Sequence, residues 1–150
     1  MCSSDLPKDP VQAVGWHRKA ADQGLARAQN RVGVAYDNGV TGPANPVLAA
    51  DWYRKAADQG HAGGQTNLGR LYLQGRGVFK DTVRAGELLQ KAVDQGEPNA
   101  MVLLAGMYKR GDGKPQDPAR AARLYRDALA LPGLSPRHRE IAEAAVAAKS

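Results

Sequence analysis

The string Lys-Ala-Ala-Asp-Gln-Gly occurs at Lys19–Gly24 and again, unchanged, at Lys55–Gly60. A third copy, Lys91–Gly96, differs only in Val93. Each step is 36 residues, and the same step joins Tyr36, Tyr72 and Tyr108, then Gly39, Gly75 and Gly111. It also joins Ala13, Ala49, Ala85 and Ala121, the caps Asp9, Asn45, Asp81 and Asp117, and the large residues Trp16, Trp52, Leu88 and Leu124. A fixed period of this length means stacked copies of one small unit, because a single unit cannot bury its own apolar face.

Each unit reads as two helices. The second helix opens at Asp9, Asn45, Asp81 or Asp117, whose side-chain oxygens cap free backbone N–H groups. Pro10, Pro46 and Pro118 follow at the first helical position, where a missing N–H costs nothing. Ala49, Trp52 and Ala56 then make one apolar face, as do Ala85, Leu88 and Ala92. Gly24, Gly60 and Gly96 stand where a left-handed residue ends the helix. The first helix carries Ala28, Val32, Gly33 and Tyr36, echoed by Gly64, Leu68, Gly69 and Tyr72, and closes at Gly39, Gly75 or Gly111. Only 27 of the 150 residues are Ile, Leu, Val or Phe, against 26 Ala and 17 Gly. The core is therefore expected to be shallow and built by close backbone approach.

The period divides the chain into a nonrepeating lead at 1–8, a half unit plus three full units at 9–134, and a capping helix at 135–150. The array opens in mid-unit, as a fragment would, with a genuine lead-in as the alternative. In the cap, Ile141-Ala142 aligns with Leu104-Ala105, and Ile141 with Ala145 is expected to cover the last pair. The lead carries no apolar stretch of the signal-peptide kind, and localisation is left open. No apolar run approaches the ~18 residues needed to span a bilayer.

The pattern Leu68-Gly69-x-x-Tyr72-x-x-Gly75-x-Gly77-Val78, followed by Asp81, Ala85, Leu88 and Lys91–Gly96, resembles a Sel1-like repeat, a relative of the tetratricopeptide repeat with a longer interhelix loop. The resemblance covers roughly Asp9 to Leu131. It implies an all-α, right-handed α/α solenoid acting as a protein–protein adaptor or scaffold, often in bacterial signalling, envelope or host-contact systems. Unit one departs from the pattern, with Thr41 in place of the second loop glycine and with Pro43 and Pro46 stiffening the connection. Some cysteine-rich members of the family are linked to enzyme activity, but their paired cysteines are missing here.

Chemistry-bearing residues are sparse. The lone Cys2 lies in the lead and excludes a cysteine-based zinc site. His17, His61 and His138 form no pair at metal or catalytic spacing, so no catalytic, metal or cofactor residues are nominated. Gly111-Asp112-Gly113-Lys114 lacks the phosphate-loop spacing and matches the interhelix turns at Gly39 and Gly75. Trp16, Trp52, Tyr36, Tyr72 and Tyr108 could form a stacking platform, but their strict placement on the period reads as core.

Two surfaces remain. Counting from the aligned tyrosines, first-helix residues off the core face are Arg27, Asn30, Val34 and Asp37; Gly63, Thr66, Arg70 and Leu73; Asn99, Val102, Lys109 and Arg110. They are expected to line a concave groove that takes a peptide or protein segment, one with acidic groups by the basic share of the lining. Arg70 and Leu73 are read as surface positions whose removal spares stability. Elsewhere, Arg120, Arg123 and Arg126 share one helical stripe, and residues 109–150 hold 9 basic and 5 acidic groups. That patch would serve an anionic surface or nucleic acid, although no exposed aromatics interleave with it. A solvated end face is the plainer reading. A small hydrolase is the third option, with no residue set behind it. The chain is expected to be monomeric or part of a longer array.

Overall fold

The computed structural model describes residues 9–148, so the lead at 1–8, with Cys2, and the last two residues of the cap lie outside the described residues. The fold is an α/α solenoid of eight helices among those residues, with no strand. They are α1 (Pro10–Asp22), α2 (Ala26–Asn38), α3 (Pro46–Asp58), α4 (Ala62–Gln74), α5 (Thr82–Asp94), α6 (Pro98–Arg110), α7 (Pro118–Leu129) and α8 (Pro136–Ala147).

The caps act as the residue types require. Oxygens of Asp9, Asn45, Asp81 and Asp117 accept from Val11, Leu48, Arg84 and Arg120 N–H groups at 2.9–3.1 Å. At the other end the N–H of Leu25, His61 or Glu97 returns to the carbonyl of Ala20, Ala56 or Ala92, across a glycine of positive φ. The loop after each first helix closes on the periodic tyrosine, whose carbonyl accepts from Asn45, Asp81 or Asp117 N–H. The first-unit loop keeps this bond despite Thr41, and among the described residues none other than glycine has positive φ.

Each first helix packs tightest on the second helix that follows it, giving pairs α2/α3, α4/α5 and α6/α7. Between units, α2, α4, α6 and α8 approach one another directly, whereas no two of α1, α3, α5 and α7 do. The array therefore curves, with the first helices on its concave side. Crossings are close because the contact residues are small: a Cβ on Gly33 would stand 2.6 Å from the Tyr53 ring. The same closeness governs the loops, since a Cβ on Gly77 would fall within 2.3 Å of the Pro46 carbonyl oxygen.

The repeated Gln of Asp-Gln-Gly has a structural purpose. Gln59 Nε2 donates to the Gly24 carbonyl and to Gln29 Oε1, each at 2.8 Å. Gln95 repeats this one unit on, donating to Gly60 O at 3.0 Å and Gln65 Oε1 at 2.8 Å. In the last unit both members change together, to Met101 and Leu131, which join the largest apolar cluster. A hydrogen-bonded pair with one buried member has been exchanged whole for an apolar pair, leaving no stranded polar group.

The core differs from the sequence reading in two places. Trp52 is buried against Ala21, Ala28 and Val32, but Trp16 is 61% exposed and Leu88 and Leu124 are only half-buried. This position faces back towards the preceding pair, and no described helix precedes α1. The pair's own centre is filled one residue later, by Tyr53, Leu89 and Tyr125. Leu134 just before the cap and Ala142 within it are buried, while Ile141 is 42% exposed. Its counterpart Leu104 is covered within the α6/α7 pair, and no described helix follows α8.

Candidate functional site: the concave cleft

On the concave side a cleft of about 240 Å³ lies where α4, α6 and the start of α8 meet. Gly63, Thr66, Asn67 and Arg70 line it from α4, Asn99 and Leu103 from α6, and Glu97, Ser135 and His138 from the two helix starts.

The start of α8 is held by one network. Asn99 Nδ2 donates to Glu97 Oε1 at 3.0 Å and to the Gly133 carbonyl at 3.2 Å. Its Oδ1 accepts from the Ser135 N–H at 3.0 Å and lies 2.8 Å from His138 Nδ1. Because that amide is oriented by its other bonds, Nδ1 carries the hydrogen and Nε2 is left as an acceptor. Burial first, then the charges of Arg137 and Arg70, push the His138 pKa below its ordinary value. The cleft thus presents a neutral imidazole, amides, a guanidinium and a carboxylate. That mixture suits backbone amides and short polar side chains rather than a dense array of one charge.

Of the expected groove residues, the cleft gathers Gly63, Thr66, Arg70 and Asn99. Asn30 is half-buried and accepts from Asn67 Nδ2 at 3.0 Å. Three residues are corrected from surface to interior: Asp37 is 5% exposed, and Thr66 and Val102 are also buried. The reason is helix phase. Thr66 and Val102 are buried, Thr66 at the cleft wall, while the column one residue later, Asn67 and Leu103, is half-buried and lines the cleft. Leu73 packs against the apolar clusters, and Val34 is half-buried against the second of them. Arg27 is exposed beside His17 and Arg31, away from the cleft. Lys109 borders a small apolar recess between α7 and α8, and Arg110 pairs with Asp112 at 2.6 Å. Arg120, Arg123 and Arg126 are all exposed on α7, with Arg120 lying 4.8 Å from the Tyr108 ring centre.

Sequence reasoning missed Asn67, Glu97, Leu103, Ser135 and His138. A count shifted by one residue would have found Asn67 and Leu103. His138 was set aside for lack of a second histidine, although its Ser-Pro-x-His context marks a helix start beside the groove.

The Sel1 repeat family matches residues 2–25, 26–61, 62–97 and 98–131. The structure is similar to a protective antigen present in uropathogenic Escherichia coli strains that displays an SLR fold (38% identity, TM-score 0.76), covering 83% of this chain and 27% of that one. It is also similar to a Sel1 repeat protein from Oxalobacter formigenes (34% identity, TM-score 0.71), covering 83% of this chain and 51% of that one. Cysteine rich protein B of Helicobacter pylori shares the fold at 21% identity and a TM-score of 0.64, covering 89% of this chain and 95% of that one. The chain thus spans about a quarter and about half of the first two. No curated protein matches it. Sel1 repeats generally serve as scaffolds for protein interaction and are typically noncatalytic. Four consecutive matches on one unbroken helical stack place this chain in the Sel1 repeat family.

Proposed function

We propose that this chain is a noncatalytic adaptor that binds an extended protein segment along its concave face. The observation that carries the reading is the cleft of Asn67, Arg70, Asn99, Leu103 and His138, polar but not uniformly charged, on the side where the first helices converge. Extended segments offer a backbone donor and acceptor at each residue, and the Asn67 side-chain amide, which spends one N–H on Asn30, and the His138 Nε2 acceptor can meet both. Arg70 adds a preference for an acidic group nearby. On this reading residues 9–134 are the binding solenoid and 135–150 a cap that also lends His138 to the cleft.

The test begins with an affinity pull-down, using this chain as bait, and mass spectrometry. The recovered partner is then titrated against Asn67→Ala/Leu103→Ala and against Arg120→Ala/Arg123→Ala/Arg126→Ala. A groove hot spot predicts a loss of about 2 kcal/mol in the first variant and little in the second. Loss confined to the arginine variant, with steep salt dependence, would replace the groove by the basic patch.

A further inference from the structure

Phe79, in the loop between α4 and α5, is 96% exposed. The two sister loops carry Pro43 and Pro115 at this position, so the aromatic ring is particular to one unit. Single exposed apolar residues are ordinary on a protein surface. What sets Phe79 apart is its setting. On one side lies a cleft of about 280 Å³ bounded by Arg54, Tyr72, Val78, Lys80 and Arg84. On the other a more open recess of about 420 Å³ is floored by Gly75, Gly77 and Val78.

The first cleft is cationic. Arg84 Nη1 donates to the Tyr72 hydroxyl at 3.3 Å, and Arg54 borders the same cleft. Asp51 pairs with Arg54 at 3.1 Å. Asp81 Oδ1 is occupied in capping α5, and its Oδ2 lies 3.7 Å from Arg84 Nε. Lys80 has no ion-pair partner among the described residues. Three cations thus face a cleft that has Asp81 in its wall, with Asp51 paired to Arg54 behind it.

We propose that the Phe79 cleft is a second docking site, taking a short protein segment in which a large apolar side chain neighbours a carboxylate. The apolar group lies on Phe79 and Val78, and the carboxylate meets Lys80 and the guanidiniums of Arg54 and Arg84 through charge-assisted hydrogen bonds. Asp51 and Asp81 oppose a dense run of phosphates, which favours a peptide carboxylate over nucleic acid or an anionic lipid surface. The site shares no residue with the concave cleft, so the two can be tested apart.

The experiment pans a phage-displayed random 12-residue peptide library on the immobilised chain and measures synthetic copies of the enriched peptides by titration. Expected are peptides with Asp or Glu within three positions of a large apolar residue. Their affinity should fall at least about 10-fold for Phe79→Ala and for Arg84→Ala, and stay unchanged for Asn67→Ala/Leu103→Ala. Circular dichroism checks that each variant is folded. Enriched peptides that bind Phe79→Ala as well as the parent, that depend only on the concave variant, or that lack the acidic–apolar pairing would overturn the site. So would absence of enrichment, or Phe79-dependent capture of phosphatidylglycerol vesicles in place of peptides.

Discussion

Arg70 reaches from α4 to α2, its Nη2 standing 2.5 Å from Oδ2 of the buried Asp37. Arg76 meets the other oxygen at 2.7 Å as an ion pair without hydrogen-bond alignment, and the Tyr53 hydroxyl donates to Oδ2 at 3.3 Å. Burial, followed by the Asp37 charge, holds the Tyr53 phenol above its usual pKa. One period on, Asp37 is replaced by Leu73 and Tyr53 by Leu89, so this cluster marks a single junction in the array.

Arg70 is therefore structural as well as groove-facing, which corrects its reading as a dispensable surface residue. Arg70→Ala leaves a buried carboxylate with Arg76 as its remaining cation. Breaking a fully buried pair costs ~3–5 kcal/mol, and the surviving partner should reduce this to about 2–3 kcal/mol. Urea denaturation of Arg70→Ala measures it, and an unchanged midpoint would show that Asp37 is not dependent on Arg70.

The glutamine bridge predicts a compensated pair of changes. Gln95→Ala leaves the buried Gln65 without its donor and should cost about 1–3 kcal/mol. Gln65→Met/Gln95→Leu, which copies Met101 and Leu131, should recover most of that loss. A double-mutant cycle by denaturation reads the coupling directly; additive losses would contradict the bridge.

The two tryptophans should behave differently. Trp52→Ala removes a large buried side chain and should cost about 3–5 kcal/mol, whereas Trp16→Ala should stay within about 0.5 kcal/mol. Acrylamide should quench Trp16 fluorescence strongly and Trp52 weakly. Equal quenching would place the two in the same environment.

Acid should destabilise the fold through its histidines. Burial, joined by nearby arginines, lowers the pKa of His17, His61 and His138 below the ordinary 6.5. The native state then binds fewer protons than the unfolded chain. Its full stability is present above pH 6.5 and is lost as pH falls through the lowered values. The urea midpoint should drop between pH 7.5 and 5.5, and His138→Gln should flatten part of that slope. A midpoint that rises on acidification would reverse the sign and refute the assignment.

Period, helix pairing and family were legible in the chain itself, because identical units meet through identical contacts. Lys-Ala-Ala-Asp-Gln-Gly, the spaced tyrosines and the Asp-Pro starts each report local rules: a helix end, a loop closure, a cap. Tertiary structure decided what those rules leave open. Helix phase sank Thr66, Val102 and Asp37 and turned Asn67 and Leu103 outward, since a shift of one residue turns a side chain through ~100°. The α6–α8 approach brought His138 to Asn99 across 39 residues, and the α2–α4 approach set Arg70 on Asp37. Such contacts depend on how far one helix slides and rolls against the next, which a single-sequence period does not encode.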